Sequence, residues 1–210
     1  MDKNTCVRVI YKNNYHVDLP VYIMSGDHPK LAHKSKGWID SDPKALTKWF
    51  NGEVKSKGDQ LKRVVRYFKA WKDNKDGDTK LPSGMVLSIL AANHFVSDFL
   101  DNDDNAFVDT ARAIHESLNE SFSLVRPVFP SEELISDWSE TKKNNFLSKL
   151  DSLIKKGDQA IAETDKTNAS QKWIDIFGDR FPEYEAPKAE LNTAFKSTAP
   201  AVLGNHGRSA

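Results

Sequence analysis

The first candidate for chemistry is Asp18, the one acid in residues 15–23, which read Tyr-His-Val-Asp-Leu-Pro-Val-Tyr-Ile. The stretch predicts a single buried strand, with Val17 and Leu19 on one face and His16 and Asp18 on the other. A carboxylate buried among such neighbours is costly unless it is paired or holds a cation. The pattern therefore makes Asp18 a candidate metal ligand. A solvated acid, or one paired with Lys or Arg, stays open as the alternative.

The second candidate is a row of positive charges on a predicted helix over residues 58–74. Lys62, Arg66 and Lys69 recur at i, i+4 and i+7, so they share one face. Such a row is either a solvated basic face or a contact for a polyphosphate, since lysine is a common point-charge partner of phosphate.

The third candidate is Ser83, in the segment Leu81-Pro82-Ser83-Gly84 that precedes an apolar helix predicted from residue 85 to about residue 100. Serine at this place is typical of an N-cap. A helix N-terminus with a hydroxyl and free backbone N–H groups also suits a phosphate, and the two roles are compatible.

The elements that would position these residues begin with strands. Residues 6–11 alternate, residues 12–14 have turn chemistry, and residues 15–23 complete an antiparallel hairpin. We interpret the polar residues 26–37 as a loop. Because a two-stranded hairpin is marginal alone, we expect that a further N-terminal portion of a sheet precedes it.

Helices follow. Asp42-Pro43 fits a helix start, and capping accounts for Asp42 better than a second metal site would. Apolar residues at three-and-four spacing predict the later helices, and Gly178 stops the last one. The predicted spans are residues 58–74, 85–100, 105–120, a short helix at 131–138, 141–164 and 168–177.

Composition narrows the functional class. The 210 residues carry a formal net charge of +0 at pH 7, which favours neither a sequence-specific nucleic-acid binder nor a membrane-surface binder. The single cysteine excludes a disulfide framework within the chain. No stretch approaches the ~18 apolar residues that a membrane span needs, and the start of the sequence lacks a signal-peptide core. We expect a cytoplasmic protein.

Several motifs in order resemble a known family. They are His16-Val17-Asp18-Leu19-Pro20-Val21-Tyr22, Trp38 with Asp42-Pro43, Phe68-Lys69-Ala70-Trp71-Lys72, Leu81-Pro82-Ser83-Gly84-Met85 and Phe177-Gly178-Asp179-Arg180-Phe181-Pro182. Across residues 6–182 their order and spacing resemble the bacterial cGAS/DncV-like nucleotidyltransferases (CD-NTases) of CBASS antiphage defence. The resemblance implies a polymerase β-like sheet followed by a helical lobe, with an active site between them.

The resemblance also implies chemistry. Such enzymes join ATP and other NTPs into cyclic di- or trinucleotides, with Mg²⁺, or Mn²⁺ as an alternative, held by three acids. Asp18 matches the third acid, a catalytic metal ligand. Lys69 and Ser83 match the residues that contact the donor triphosphate. Arg8 matches, more loosely, an arginine that contacts a nucleotide in some members.

The sequence departs from the family pattern at its beginning. The Gly-Ser motif and the Asp-x-Asp pair should precede the hairpin, and the five residues before Cys6 hold Asp2 alone. One acid does not assemble a two-metal site. The chain thus resembles the C-terminal portion of such an enzyme, and we expect it to be inactive by itself.

The end of the chain suggests a different function. In some family operons a ubiquitin-activating or ubiquitin-conjugating-like protein acts on the synthase C-terminus, so Ala210 is a candidate for a partner-binding tail. An ordinary frayed terminus is the alternative. The chain could then be a non-catalytic binding module rather than part of an enzyme.

The predicted architecture is α+β and mostly α. Residues 1–36 form the last strands of the nucleotidyltransferase core, residues 37–182 the helical lobe, and residues 183–210 a flexible tail.

Overall fold

The computed structural model describes residues 3–12, 15–75 and 81–185. Five strands come first and six helices follow, which confirms the α+β, mostly helical class. The strands are β1 (Val7–Ile10), β2 (His16–Leu19), β3 (Tyr22–Ser25), β4 (His28–His33) and β5 (Gly37–Asp40). The helices are α1 (Pro43–Lys57), α2 (Asp59–Lys75), α3 (Gly84–Asn93), α4 (Asp103–Glu120), α5 (Glu140–Ile161) and α6 (Lys166–Phe177).

The strands form two small antiparallel sheets. The predicted hairpin is present as β1 and β2, in which Arg8 lies opposite Asp18. The predicted single strand over residues 15–23 is wrong, because it breaks at Pro20, which has no N–H to donate to a ladder. The predicted loop over residues 26–37 is also wrong, since β4 occupies its middle and pairs with both β3 and β5.

The strands contain no fully buried residue, although β4 is half-buried from Pro29 to His33. Val17 is half-buried, and the side chains of Leu19 and Val21 are 51% and 56% exposed. Described residues before Gln60 include none that is buried. The expectation that Asp18 lies in a buried strand is therefore wrong.

The hydrophobic core lies in the helices. Leu61, Val64, Phe68 and Trp71 form the buried stripe of α2, as their spacing predicts. They pack on α3, whose buried residues lie on most of its circumference. Helices α4, α5 and α6 complete the bundle, and α1 packs on α2 and α3. None of the described helices has both the length and the apolar character to cross a membrane.

Polar caps fix where helices begin. The Asp42 carboxylate accepts a hydrogen bond from the backbone N–H of Ala45 at 2.9 Å, so the predicted start of α1 is confirmed. Asp40 lies 3.4 Å from the Lys30 amine. The domain boundary at residues 36 and 37 stays a prediction, although β5 carries strand structure on to Asp40.

Two predicted helical stretches are not helical. Helix α3 ends at Asn93, so Phe99 lies in a loop and is 99% exposed. Residues 131–138 are not a short helix; within them, Glu133 forms an isolated antiparallel bridge with Val125. The Glu133 carboxylate accepts hydrogen bonds from the N–H groups of Leu124 and Ile135, which holds this segment without a helix.

The end of the described chain lies along α6. Gly178, at φ +65°, follows α6 as predicted and leads into a 3-10 turn, Gly178–Arg180. The Ser170 hydroxyl donates to the carbonyl of Pro182 and accepts from the N–H of Tyr184. The predicted tail over residues 183–210 falls outside the described residues beyond residue 185. Conjugation at Ala210 therefore stays a prediction.

Candidate functional site

Lys69 lies against the first residue of α3. Its side chain extends from α2 across Gly84, so that a Cβ built on Gly84 would lie 3.4 Å from Lys69 Cε. Packing of α2 on α3 creates this contact. The absence of a side chain at residue 84 lets the lysine lie close to the backbone of the first turn. The structure thus brings Lys69 to the N-terminus of the helix that Ser83 caps.

Ser83 is the N-cap of α3, as predicted. Its Oγ accepts a hydrogen bond from the N–H of Val86 at 3.3 Å, while the side chain as a whole is exposed. The first N–H groups of a helix have no partner within the helix, and they carry its partial positive charge. We use the name positive corner for the place where the exposed Ser83 cap, these N–H groups and the Lys69 side chain meet.

A cavity of about 340 Å³ opens beside this corner. Helix α1 contributes Leu46, Thr47, Trp49 and Phe50, α2 contributes Lys69, and α3 contributes Gly84, Met85, Ser88 and Ile89. The volume falls within the ~300–1,000 Å³ of ordinary ligand pockets. Its walls are largely apolar, with Lys69 at the charged end.

Asp18 and Arg8 form the second predicted pair. Arg8 Nε donates to Asp18 Oδ1 at 2.6 Å, and Arg8 Nη2 donates to Oδ2 at 2.7 Å. These hydrogen bonds are the main reason that the pKa of Asp18 is lowered from its ordinary value. Pairing of Asp18 with a lysine or arginine is one of the two alternatives from the sequence, and the structure shows Asp18 paired with Arg8.

A complete metal site does not arise from the described residues. Among residues 3–12, 15–75 and 81–185, no three His, Cys, Asp or Glu side chains lie close enough to hold an ion. Both Asp18 oxygens accept from one guanidinium, and Mg²⁺ needs several oxygen ligands in near-octahedral geometry. The described part of the chain therefore does not supply a complete Mg²⁺ site, and the metal-ligand role of Asp18 stays a prediction.

The predicted site residues thus fall into two pairs. Lys69 meets the start of α3, and Arg8 meets Asp18 across β1 and β2. The predicted basic face of α2 is divided between cavities, because Arg66 lines a different cavity from Lys69.

That other cavity, of about 800 Å³, was not predicted from the sequence. It lies among α2, the start of α4 and the end of α6, with Tyr67, Phe107, Trp173, Phe177 and Phe181 among its walls. The recurring aromatic residues of positions 173–181 were the available signal. The Asp103 carboxylate at its edge accepts hydrogen bonds from Arg63 Nε and the Tyr67 hydroxyl.

The network around Asp103 joins α2 to α4. Desolvation and the hydrogen bond to Asp103 raise the pKa of Tyr67 to about 12. Arg63 also pairs with Asp101, so one guanidinium bridges two carboxylates. We interpret this network as structural, because each of its charged groups already has a partner that links α2 to the start of α4.

Comparison with known proteins assigns these elements to a family. Residues 58–189 match the model of the cyclic GMP-AMP synthase C-terminal domain family. A cyclic GMP-AMP synthase of Escherichia albertii is 33% identical over 196 residues, which are 91% of this chain and 43% of that protein. A cyclic AMP-AMP-AMP synthase of an Acinetobacter species is 27% identical over 158 residues, covering 72% of this chain and 46% of that protein.

Solved structures agree with the sequence relatives. The GTP-bound form of Vibrio cholerae DncV superimposes with a TM-score of 0.77 at 25% identity, over 87% of this chain and 52% of that one. Escherichia coli DncV bound to 3′-deoxy GTP gives 0.74 at 26% identity, over 86% and 51%. The chain spans about half the length of the curated relatives it matches. It belongs to the cGAS/DncV-like nucleotidyltransferases, the CD-NTases, and corresponds to the C-terminal portion of its relatives.

Proposed function

We propose that this chain is the part of a cyclic oligonucleotide synthase that binds the triphosphate of the donor NTP. The observation that carries the proposal is the position of Lys69 over Gly84 at the N-terminus of α3. A lysine side chain that crosses a helix N-terminus adds its positive charge to that of the first turn, and both favour an anion there. The lysine and the serine were matched to donor-phosphate contacts from the sequence, and their elements meet in the fold.

Ser83 has hydrogen-bonding capacity left for a ligand. Its oxygen accepts from Val86 N–H, and its hydroxyl hydrogen is free to rotate towards a phosphate oxygen. Gly84 presents its backbone without a side chain, so a phosphate can approach the first turn closely. In this arrangement the cap that stabilises α3 also contacts the donor.

The cavity next to Lys69 suits the rest of a nucleotide. Trp49 and Phe50 contribute aromatic side chains to its walls, and purine bases stack on such surfaces. A phosphate at the α3 N-terminus would leave the nucleoside on the α1 side. ATP is the first NTP to test, since the products named for the relatives contain AMP.

In the proposed enzyme Asp18 supplies one carboxylate to Mg²⁺ or Mn²⁺, and the other ligands come from outside the described residues. When bound, the ion would neutralise charge on the transferred phosphoryl group. Arg8 holds the Asp18 carboxylate in one orientation on β2 and keeps it ionised. Arg8 is also the proposed contact to a nucleotide.

The names of the relatives support the class of product, and the proposed setting comes from the family resemblance of the sequence. The relatives are named as synthases of cyclic GMP-AMP and cyclic AMP-AMP-AMP. We propose that the whole protein makes a cyclic di- or trinucleotide in the cytoplasm as a signal in antiphage defence.

The test of donor binding is calorimetric titration of the full chain with ATP, without metal and with Mg²⁺. Lys69→Ala should weaken ATP binding at least tenfold, because it removes the charge at the α3 N-terminus. Lys62→Ala is the matched control, as Lys62 lies two turns earlier on α2 and does not line the cavity. Unchanged ATP affinity in Lys69→Ala would overturn the assignment.

The test of catalysis is incubation of this chain with four labelled NTPs and Mg²⁺ or Mn²⁺, followed by phosphatase treatment. We expect no phosphatase-resistant product, because the described residues lack a full set of metal ligands. Formation of such a product would contradict our account of the acids.

A further inference from the structure

A second, smaller cavity lies on the far end of α2, among α2, α5 and α6. Its volume is about 140 Å³. Three lysines line it, Lys75, Lys149 and Lys156, together with Ser152 and the apolar side chains of Trp71, Leu153 and Ile176. It shares no lining residue with the cavity that contains Lys69.

The geometry of α5 brings two of the lysines together. Lys149, Ser152 and Lys156 occupy positions i, i+3 and i+7, so their side chains lie on one face of the helix. Lys75 is the last residue of α2, and its Nζ donates to the carbonyl oxygen of Asp175 in α6 at 2.6 Å. That bond uses one of the three ammonium hydrogens and leaves two for a ligand.

The charges in this cavity are of one sign. No acid lines it, and within the described residues none of the three lysines forms an ion pair with a carboxylate. Lys155, next to Lys156 in sequence, instead pairs with Asp151 at 2.7 Å. Two acids follow Lys75 in the sequence, Asp76 and Asp78, and both lie outside the described residues.

The ammonium groups of Lys149 and Lys156 repel that of Lys75. Burial and the charges of Lys156 and Lys149 lower the pKa of Lys75, and the Asp175 carboxylate opposes this only in part. Trp71 and Leu153 are each 2% exposed, so the inner wall beside the half-buried Lys75 and Lys156 is apolar, whereas Lys149 and Ser152 are exposed at the mouth.

We propose that Lys75, Lys149, Lys156 and Ser152 form a binding site for a phosphate group, separate from the nucleotide site. Lysine binds phosphate as a point charge, and a dianionic phosphate group would relieve the repulsion among three ammonium groups. The cavity is smaller than the ~300 Å³ at which pockets for drug-sized ligands begin, so it takes the phosphate group rather than a whole nucleotide. The source is either inorganic phosphate or the phosphate of a small monoester.

The test is a titration of the full chain carrying Lys69→Ala, so that the proposed donor site does not contribute. The probes are inorganic phosphate and glycerol 2-phosphate, against sodium chloride of equal ionic strength, with calorimetry and melting temperature as readouts. We expect a dissociation constant on the order of 1 mM for phosphate and a higher melting temperature in phosphate than in chloride.

Two matched variants test whether Lys149 and Lys156 bind the phosphate. Lys149→Gln with Lys156→Gln should weaken phosphate binding at least tenfold, whereas Lys155→Gln should change it less than twofold. In chloride the double variant should melt at or above the temperature of its parent, because like charges beside Lys75 are removed. Equal phosphate affinity in the double variant and its parent, or an equal loss in Lys155→Gln, would overturn the proposal.

The monoester identifies the source. Binding of glycerol 2-phosphate that also depends on Lys149 and Lys156 would support a phosphorylated small molecule, and binding of inorganic phosphate alone would support the free ion. Failure of this site would leave donor binding by Lys69 untouched, since that proposal is tested with ATP and a different variant.

Discussion

At the scale of single residues, Arg8 lowers the pKa of Asp18 across β1 and β2. Two charge-assisted hydrogen bonds join them, although both side chains are partly exposed. An acid with a lowered pKa in the folded state stabilises the fold above its unfolded pKa of ~3.9. That stabilisation is lost as the pH falls through the folded-state pKa.

We predict that Arg8→Gln raises the pKa of Asp18 towards its ordinary value, because the largest cause of the shift is removed. A carbon-13 NMR titration of the Asp18 side-chain carboxyl measures this. The titration runs from about pH 2 to about pH 6, which is about two units on either side of the ordinary pKa of aspartate. Lys30→Gln is the control, since it removes the partner of Asp40 instead. An Asp18 titration that is the same in Arg8→Gln as in the unmodified chain would show that Arg8 does not set its pKa.

Ser83 and Ser139 allow capping to be separated from ligand binding. Each is an exposed N-cap whose Oγ accepts an N–H bond at 3.3 Å, on α3 and α5 respectively. Each alanine variant should lose about 1 kcal/mol of stability in urea denaturation. Ser83→Ala alone should also weaken ATP binding. Equal ATP affinity in the two variants would limit Ser83 to its capping role.

The sequence predicts which residues cap helices, but it does not predict which residues of separate helices lie in contact. Asp42 and Ser83 were identified as caps because the signal lies within four residues. The contact of Lys69 with Gly84, and the grouping of Lys75 with Lys149 and Lys156, depend on how helices pack. Sequence spacing carries no information on such contacts between separate elements.

At the scale of elements, α4 and α5 pack closely against each other at a glycine. Gly157, buried on α5, faces Val108 of α4, and a Cβ built on it would lie 2.4 Å from Val108 Cγ2. From the sequence this glycine only weakens a helix. In the structure it allows two helices to pack without a gap.

We predict that Gly157→Ala destabilises the chain by about 1–3 kcal/mol, since overpacking outweighs the ~1 kcal/mol gain in helix propensity. Gly52→Ala on α1 is the control, because nothing lies within 4 Å of its Cβ position. That variant should be stabilised by about 0.5–1 kcal/mol. Urea denaturation measures both, and an unchanged Gly157→Ala midpoint would refute the packing argument.

Helices were predicted well and strands poorly, for one physical reason. Apolar residues at three-and-four spacing indicate a helix with one buried side, as in α2 and α4. Strands β3, β4 and β5 bury neither face in the described structure, so Pro29, Lys30 and His33 produce no alternating pattern. Strand β2 does alternate, yet Leu19 on its apolar face is 51% exposed, so alternation predicted the strand around Asp18 without establishing its burial.

At the scale of the whole molecule, stability is distributed unevenly. Buried hydrophobic residues begin at Leu61 and end at Phe177. The strands reach the helical part through the chain at residues 41–42 and through the ring of His28, which stacks on Phe129 with centroids 3.9 Å apart. Contacts between the strands and the helical core are therefore few within the described residues.

We predict that backbone amides of β1–β5 exchange with solvent through local opening, much faster than those of α2 and α3. Few buried contacts hold the strands, whereas α2 and α3 open only when the core unfolds. Hydrogen exchange with mass spectrometry measures this. Strand amides as well protected as those around Phe68 would contradict it.

The open strands have a consequence for the chain in solution. Val7, Ile10 and Met24 are 52%, 58% and 68% exposed, and each small sheet ends in unpaired strand edges within the described structure. A formal net charge of +0 at pH 7 provides little long-range repulsion between molecules. We expect solubility to pass through a minimum near neutral pH, with light scattering that rises with concentration there and falls at pH 9.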